Sequence, residues 1–360
     1  MDMFTSSTDH SLPYTELKLS VQHLEHPEVK SISVIPSFKD LPLQKNHPPY
    51  SAWGLWGVDD EAGTLRFLDN ETVARAGSEI KEGLRFSLNW SMSKPETPGF
   101  GRSHFPFCHT IHEAPSGMLI LDDSITFNTQ RSSQWDGLRH FAYQKEQLFY
   151  QGVTKQQILE PGSSILGLQN LHVQGDGIAG RGVLLDLYTY AQEVGKEYDA
   201  IGGYAITFDD LMACIRFQEE QSECAMEFRS GDILIIRCGY TSQYEELTPL
   251  QEKAAGLALP PVTCGLEQDE RLLEWLWENH FAAVAGDSPS FEHFPPREEA
   301  GFLLHEVLIA GWGCQIGELL WLEDLAAACQ ERKRWTFFVA SSPLNINGGV
   351  ASPANMMAIL

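Results

Sequence analysis

Asn128-Thr-Gln-Arg-Ser-Ser-Gln-Trp-Asp-Gly-Leu-Arg-His140 gathers amide, hydroxyl, carboxylate, imidazole and guanidinium groups within thirteen residues. Such a density of polar groups is unusual in a core strand and predicts a loop, followed by an amphipathic helix over residues 141–149. Asp136 and His140 are four residues apart, so both can reach one ligand if the chain turns at Gly137. The alternative is a polar loop whose side chains only bond the local backbone.

The composition restricts the classes of partner. The chain of 360 residues has 25 Lys and Arg against 49 Asp and Glu, a formal charge of −24, and its densest basic cluster, Glu331-Arg-Lys-Arg334, is short. We therefore expect no nucleic-acid and no membrane partner, whereas the charge says little about the small-molecule substrate that we also expect. Seven scattered cysteines without a C-x-x-C pair indicate reduced thiols. The N-terminus has no signal-peptide pattern and no apolar run approaches ~20 residues, which predicts a cytoplasmic protein.

The order of predicted elements indicates an α/β fold. Residues 1–48 are polar and interrupted by prolines, which predicts an N-terminal arm, and residues 49–360 are expected to form one domain. Apolar runs bounded by glycines predict buried strands at 177–187 and 231–239. A helix is expected over 266–280, before a strand at 281–287, and a capping box at Thr207-Phe-Asp-Asp210 predicts another helix. The repeated helix-then-strand order favours a mixed sheet with helical cover.

Two further segments offer candidate binding residues. Ala52–Thr64 combines two Trp with three Gly and acidic residues, which predicts a compact loop near a pocket, or equally a surface turn held by Trp burial. Asp287-Ser-Pro-Ser290 follows a predicted strand, where α/β folds hold ligands, although an Asx turn is as consistent. The predicted substrate-binding residues are Trp135, Arg139, Trp53 and Asp287.

Imidazole and carboxylate groups suggest a metal. Asp136, His140, His305 and Glu318 are of the types that Zn²⁺ and Mn²⁺ accept, and a bound metal would acidify water and polarise a carbonyl. Spacing alone does not establish such a site, because 12 His and 49 acidic residues make chance combinations common. A Ser or Cys nucleophile has no supporting motif in the chain.

Five blocks, taken in order, resemble the Putative cyclase family, which includes bacterial kynurenine formamidase and isatin hydrolase. The resemblance covers about residues 50–358, is similar to the longer fungal-type branch of the family, and rests on residues 128–140, 177–186, 231–237, 285–290 and 343–353. It implies a cyclase-type swivelling β/β/α fold with a mixed central β-sheet and flanking helices. It also implies a homo-oligomer, a dimer or a tetramer, and Mn²⁺- or Zn²⁺-dependent hydrolysis of an amide or cyclic amide.

The chain departs from the family's hydrolase motif, His-x-Gly-Thr-His-x-Asp-x-Pro-x-His, in which the first two His and the Asp bind metal and the last His assists proton transfer. Asp136 and His140 match that motif, whereas Gln130 and Gln134 stand in place of the two ligand histidines and Leu138 in place of Pro. An amide oxygen is a poor ligand for Zn²⁺ and a tolerable one for Mn²⁺, Mg²⁺ or Ca²⁺. The departure therefore weakens the expectation of a zinc site.

Three hypotheses remain open. In the first, Asp136, His305 and Glu318, the last two by resemblance to the family's downstream ligands, hold a divalent metal for hydrolysis of an amide, lactam or lactone, with His140 as proton shuttle. In the second, His140 and Asp136 form a metal-independent acid/base pair for cyclisation, dehydration or isomerisation of a secondary metabolite. In the third, the chain is a binding or scaffold subunit without activity. The predicted catalytic residues are His140, Asp136, Gln130 and Gln134.

Overall fold

Thirteen strands and nine α-helices lie within the ranges that the computed structural model describes, residues 34–115, 117–173, 177–222 and 225–360. The strands are β1 (Arg85–Ser87), β2 (Cys108–Glu113), β3 (Leu121–Thr126), β4 (Gln134–Asp136), β5 (Ile178–Asp186), β6 (Ala205–Ile206), β7 (Ile233–Arg237), β8 (Gly265–Leu266), β9 (Ala283–Gly286), β10 (Gln315–Glu318), β11 (Thr336–Ser341), β12 (Ala351–Pro353) and β13 (Met356–Ile359). The helices are α1 (Asn70–Ala76), α2 (Lys155–Leu159), α3 (Asn170–Val173), α4 (Leu187–Glu193), α5 (Phe208–Ser222), α6 (Tyr240–Glu245), α7 (Pro249–Gly256), α8 (Glu270–Glu278) and α9 (Glu323–Arg332).

One sheet of nine strands forms the centre of the fold, in the order β1-β13-β11-β5-β7-β9-β10-β4-β12. Its middle strands β5, β7, β9 and β10 run parallel, and the other neighbouring pairs are antiparallel. The remaining described strands pair as β2 with β3 and β6 with β8. The predicted α/β class, with a mixed central sheet and flanking helices, is confirmed.

The parallel strands are buried on both faces, which explains their continuous apolar sequences. Every residue of β7 is buried, and its side chains alternate between two core clusters: Ile233 and Ile235 pack in one, Leu234 and Ile236 in the other. The strands predicted at 177–187 and 231–239 are therefore confirmed as β5 and β7.

The helices predicted from the capping box at Thr207 and from the apolar spacing within residues 266–280 are also confirmed. Thr207 Oγ1 accepts a hydrogen bond from the Asp210 amide at 3.1 Å, and Asp210 Oδ2 accepts one from the Thr207 amide at 3.2 Å, so the predicted capping box begins α5. The apolar residues whose spacing predicted α8 are its buried face, Leu272, Leu273, Leu276 and Trp277.

Two local predictions are wrong. Residues 141–149 form no helix: Tyr143 and Leu148 pair in an isolated β-bridge, and Gln147 has a φ of 57°, which a helix does not accommodate. The polar stretch is not a loop throughout, because Gln134–Asp136 is the buried strand β4, paired with β10 and β12. Its polar side chains tolerate burial because they bond one another and the neighbouring strand.

The predicted N-terminal arm falls largely outside the described residues, which begin at 34. Its described part packs on α8: the Trp277 indole donates to the Pro36 carbonyl at 2.8 Å, and Glu278 accepts from the Phe38 amide at 2.8 Å. The domain boundary at 48 and the oligomer stay predictions. The six described cysteines are free. Within the described ranges, no helix combines the length and apolar character needed to cross a bilayer.

Candidate metal centre and cleft

Strand pairing brings the polar side chains of β4 and β10 to one face of the sheet. Glu318 stands directly opposite Gln134, and Ile316 opposite Asp136, in the antiparallel register of the two strands. Because side chains alternate along a strand, Gln134, Asp136 and Glu318 point to the same face, and Trp135 points to the other. The sheet thus places two buried carboxylates and an amide side by side.

His305 completes this cluster. It precedes the π-helix Glu306–Trp312, and its Nε2 atom is 3.8 Å from Asp136 Oδ2 and 3.2 Å from Glu318 Oε1. Ligand atoms of Asp136, His305 and Glu318 all lie within 4.8 Å of one another, and all three residues are buried. The structure therefore brings together the three residues that the sequence predicted as metal ligands.

Glu292 orients the imidazole of His305. Its Oε1 is 2.7 Å from His305 Nδ1 and accepts from the His305 amide at 2.9 Å, while Oε2 accepts from the Leu304 amide and from Gln268. A carboxylate on one ring nitrogen directs the other toward the cluster, as in many histidine metal sites. Although burial opposes it, hydrogen bonds that the ring donates to Glu292 and Glu318 raise the pKa of His305 to about 10, so in the metal-free protein this imidazolium balances the carboxylates.

The two glutamines link the carboxylates of Asp136 and Glu318 through hydrogen bonds. Gln134 Nε2 donates to Glu318 Oε2 at 2.8 Å and to Gln130 Oε1 at 3.0 Å, and Gln130 Nε2 donates to Asp136 Oδ1. Gln134 Oε1 and Asp136 Oδ2 are buried and have no hydrogen-bond donor among the described residues. Buried acceptors without donors are costly, and a cation would satisfy both.

The residues present fit a divalent ion. Two carboxylates, one imidazole and an amide oxygen form an oxygen-rich donor set, which suits Mn²⁺ better than Zn²⁺. This preference follows from the amide oxygen of Gln134, which is a poor ligand for Zn²⁺.

His140 lies beside the cluster, with Nε2 3.5 Å from Asp136 Oδ2. Burial lowers the pKa of His140, and the positive charges of His305 and Arg102 lower it further. The negative charge of Asp136 opposes this shift. Burial raises the pKa of Asp136 despite the opposing effect of the two imidazoles. The His140 imidazole is therefore neutral at neutral pH and able to accept a proton.

A cleft of about 250 Å³ opens beside the cluster. Its polar wall consists of Arg102, His140, Gln144, Ser290, His305 and Glu318, and its apolar wall of Phe100, Phe141, Pro289, Phe294 and Leu303. The Ser290 hydroxyl is buried and has no hydrogen-bond partner among the described residues, so it is free to bond a ligand.

Two tryptophans predicted to bind substrate are structural instead. Trp135 is fully buried in the core on the opposite face of β4, where its indole donates to Ser341 Oγ at 2.9 Å. Trp53 is also buried, and its indole donates to the Ala310 carbonyl at 2.6 Å. Neither lines the cleft. For Trp53, this agrees with the alternative that the sequence left open, in which residues 52–64 form a turn held by a buried Trp.

Arg139 also stands outside the cleft. Its guanidinium donates to the carbonyls of Ile165 at 2.5 Å, Gly348 at 2.8 Å and Ser163 at 2.9 Å, so it joins two loops instead of positioning substrate oxygens. We expect Arg139→Met to lower the free energy of unfolding by about 2–4 kcal/mol, because three carbonyls lose a charged donor. Metal content should not change.

Urea denaturation of Arg139→Met, beside the same substitution at exposed Arg85 on β1, measures this effect. Unchanged stability together with lost substrate affinity would contradict the structural role.

Asp287 is buried directly after β9 and does not itself line the cleft, although Pro289 and Ser290 do. Its Oδ1 accepts from the Cys238 amide at 2.5 Å, and Oδ2 has no partner among the described residues. Burial raises the pKa of Asp287 to about 7, although the Cys238 amide and the charge of Arg237 lower it. The Cys238 amide thus bonds one carboxylate oxygen, and the role of Asp287 in substrate binding stays a prediction.

The Asp287 pKa makes a pH dependence testable. The folded chain binds this proton more tightly than the unfolded chain, whose Asp pKa is about 3.9, so the stabilising contribution is complete below about pH 4 and is lost as the pH rises to about 7. Relative to wild type, Asp287→Asn should gain about 2–4 kcal/mol of unfolding free energy between about pH 4.5 and about pH 8. Urea titrations at both pH values check this, with exposed Asp122→Asn on β3 as control. A gap that does not vary with pH would contradict it.

Sequence patterns alone do not point to Arg102 or Glu292. Ser290 lies within the quoted strand-end motif, which was the one available signal, and Glu292 follows two residues later. Arg102 lies 38 residues before His140 in a segment without any regular pattern, and only the fold brings it to the cleft.

The comparisons with known proteins concern the family and the fold. The family described as Putative cyclase matches residues 40–293, more than half of the chain. A solved structure described as a novel cyclase is 29% identical, with a TM-score of 0.73, and the match covers 86% of this chain and 99% of that one. No curated protein matches the chain significantly.

More distant solved structures share the fold alone. An isatin hydrolase bound to the product analogue thioisatinate is 14% identical, with a TM-score of 0.50 and coverage of 79% of this chain and 94% of that one. A protein described as a potential metal-dependent hydrolase with cyclase activity is 13% identical, with a TM-score of 0.44 and coverage of 76% and 98%. The second likeness is too remote to support an argument.

Proposed function

Because the chain belongs to the Putative cyclase family, we propose that it hydrolyses an amide, lactam or lactone bond in a small molecule with the help of a divalent metal ion. The observation that carries the proposal is the buried group Asp136, His305 and Glu318 beside a cleft, with ligand atoms within 4.8 Å of one another. If these residues formed only a structural ion-pair network, the buried acceptor atoms on Asp136 and Gln134 that lack hydrogen-bond donors would have no explanation.

The same residues define what each group would do. Asp136, His305 and Glu318 would hold the ion, with Gln134 Oε1 as a further oxygen donor and Glu292 keeping the imidazole oriented. A divalent ion there would supply acidity to a water molecule and would polarise the scissile carbonyl. Gln130 would position Asp136, because its amide nitrogen already donates to that carboxylate.

His140 is the proton carrier of this proposal. Its neutral imidazole faces the cleft beside Asp136, so it can take a proton from the attacking water as the new C–O bond forms. The same proton then passes to the leaving nitrogen or oxygen as the scissile bond breaks, so that an open-chain amide gives an acid and an amine, and a lactam or lactone opens to an amino acid or a hydroxy acid. The Ser290 hydroxyl is available to donate to the carbonyl oxygen as negative charge develops on it.

A second candidate function rests on the same pair without a metal. Asp136 and His140 are 3.5 Å apart, and Gln130 already occupies one oxygen of Asp136, so the two residues could act as an acid/base pair in cyclisation or dehydration. The imidazolium of His305 in the metal-free protein would then supply the positive charge that the metal ion supplies in the first proposal.

Chelation separates the two candidates. We would assay the purified protein on formanilide, isatin and δ-valerolactone before and after treatment with EDTA, and again after addition of Mn²⁺. The hydrolase proposal predicts turnover of at least one of these, a loss of about 100-fold or more on chelation, and recovery with Mn²⁺. Full hydrolysis by metal-free protein, or no hydrolysis by the Mn²⁺-loaded protein, would overturn it.

A further inference from the structure

A single guanidinium faces the cleft. Arg102, in the short 3₁₀-helix Arg102–His104, is the one Arg or Lys among the described residues that line it. Its Cζ atom lies 5.2 Å from the centroid of the Phe100 ring, a cation–π contact that limits where the guanidinium can move. It is also close enough to His140 for its charge to act on that imidazole.

Arg102 has no counter-ion in the part of the chain that the structure describes. Its guanidinium forms neither an ion pair nor a side-chain hydrogen bond there, whereas Arg181 and Arg237, also near the sheet, pair with carboxylates at 2.6–2.8 Å. In a chain with 49 acidic and 25 basic residues, acidic partners are abundant. A guanidinium left unpaired in a ligand cleft is therefore available to an acidic ligand.

The rest of the cleft favours a small aromatic molecule. The Phe100 and Phe294 rings meet edge to face with centroids 5.3 Å apart, and the Phe141 ring lies 5.2 Å from that of His305, so aromatic groups flank the space beside the candidate metal centre. Aromatic walls bind planar rings through stacked and edge contacts. A volume of about 250 Å³ is below the usual range for ligand pockets and suits a compound with one or two rings.

We propose that Arg102 binds a carboxylate of the substrate, so that the cleft selects small aromatic amides, lactams or lactones that carry an acidic group. The inference rests on the proposed function, whose reacting bond would lie between His140 and the candidate metal ligands. A planar guanidinium pairs with a planar carboxylate through two parallel hydrogen bonds. A dianionic phosphate would meet stronger repulsion from Asp136 and Glu318, so the carboxylate is the better match.

Binding of two matched probes tests this without any turnover. Benzoate and benzamide have the same ring and differ in charge, and calorimetric titration of each gives the preference directly. Wild-type protein should bind benzoate about 10-fold or more tightly than benzamide. Arg102→Gln should reduce that ratio to about 3 or less, and Arg102→Lys should retain part of it. Arg85→Gln on β1, at the opposite edge of the sheet from β12, is the control for net charge.

Several outcomes would overturn the proposal. Equal binding of the two probes to wild type, binding of neither, or a ratio unchanged in Arg102→Gln would each do so. The titrations are repeated after EDTA treatment: a preference that survives Arg102→Gln and vanishes on chelation assigns the carboxylate to the metal. Tighter binding of phenyl phosphate than of benzoate assigns a phosphate instead. A benzoate preference that depends on Arg102 in a protein without hydrolase activity would leave this inference standing and remove only the proposed function.

Discussion

Asp136→Asn is expected to lower the affinity for Mn²⁺ by about 100-fold or more and to reduce hydrolysis to about 1% or less of wild type. Asparagine keeps the oxygen that accepts from Gln130 but places an amide N–H where Asp136 Oδ2 now faces His305 at 3.8 Å. A hydrogen-bond donor at that position excludes a cation. Calorimetric Mn²⁺ titration and a steady-state assay measure the two effects.

The loss can be separated from misfolding. Burial raises the pKa of Asp136, so its charge is unfavourable in the metal-free protein, and the metal-free Asp136→Asn variant should be at least as stable as wild type in urea. Asp287→Asn is the matched control, since Asp287 is equally buried after β9, which β10 separates from β4, and lies outside the cluster. Mn²⁺ binding by Asp136→Asn as strong as that of wild type would contradict the assignment.

His140→Gln is expected to reduce kcat by about 10²- to 10⁴-fold while leaving the Mn²⁺ stoichiometry unchanged. The reason is that His140 adjoins Asp136 at 3.5 Å but is not one of the three residues whose ligand atoms cluster. Glutamine retains much of the ring's size and polarity but cannot carry a proton at neutral pH. Steady-state kinetics with Mn²⁺-loaded protein and elemental analysis of the same sample measure both quantities.

His172→Gln is the control for this substitution, because its ring contacts the Pro343 carbonyl at 3.0 Å outside the cleft. A kcat within about 3-fold of wild type in His140→Gln would remove His140 from proton transfer. Loss of the metal together with activity would instead make His140 a ligand.

Strands and helices that are determined by residues close together in the chain could be predicted from the sequence. β5 and β7 follow from continuous apolar runs, and α5 from a capping box whose two hydrogen bonds involve residues three apart. α8 follows from the spacing of its buried leucines. In each case the residues that decide the structure are neighbours in the chain, so pattern and structure agree.

The candidate site depends on contacts that no local pattern records. β4 is polar, and its burial becomes favourable only when Glu318, some 184 residues away, bonds Gln134. Side chains alternate between the two faces of a strand, so Trp135 points into the core once Gln134–Asp136 is known to be the strand β4. A predicted loop gives no such alternation, and the position of Trp135 could not be deduced from it. Residues 141–149 have helical spacing, but the bridge between Tyr143 and Leu148 and the positive φ of Gln147 replace the helix.

The metal content of the purified protein tests the central claim most directly. Elemental analysis of protein prepared without added metal, then loaded with Mn²⁺ and desalted, should give one tightly held ion per chain in wild type. Glu318→Gln and Asp136→Asn should hold little or none, and Asp287→Asn should hold one. A wild-type protein that retains no divalent ion, or an ion that both cluster variants retain in full, would contradict the account.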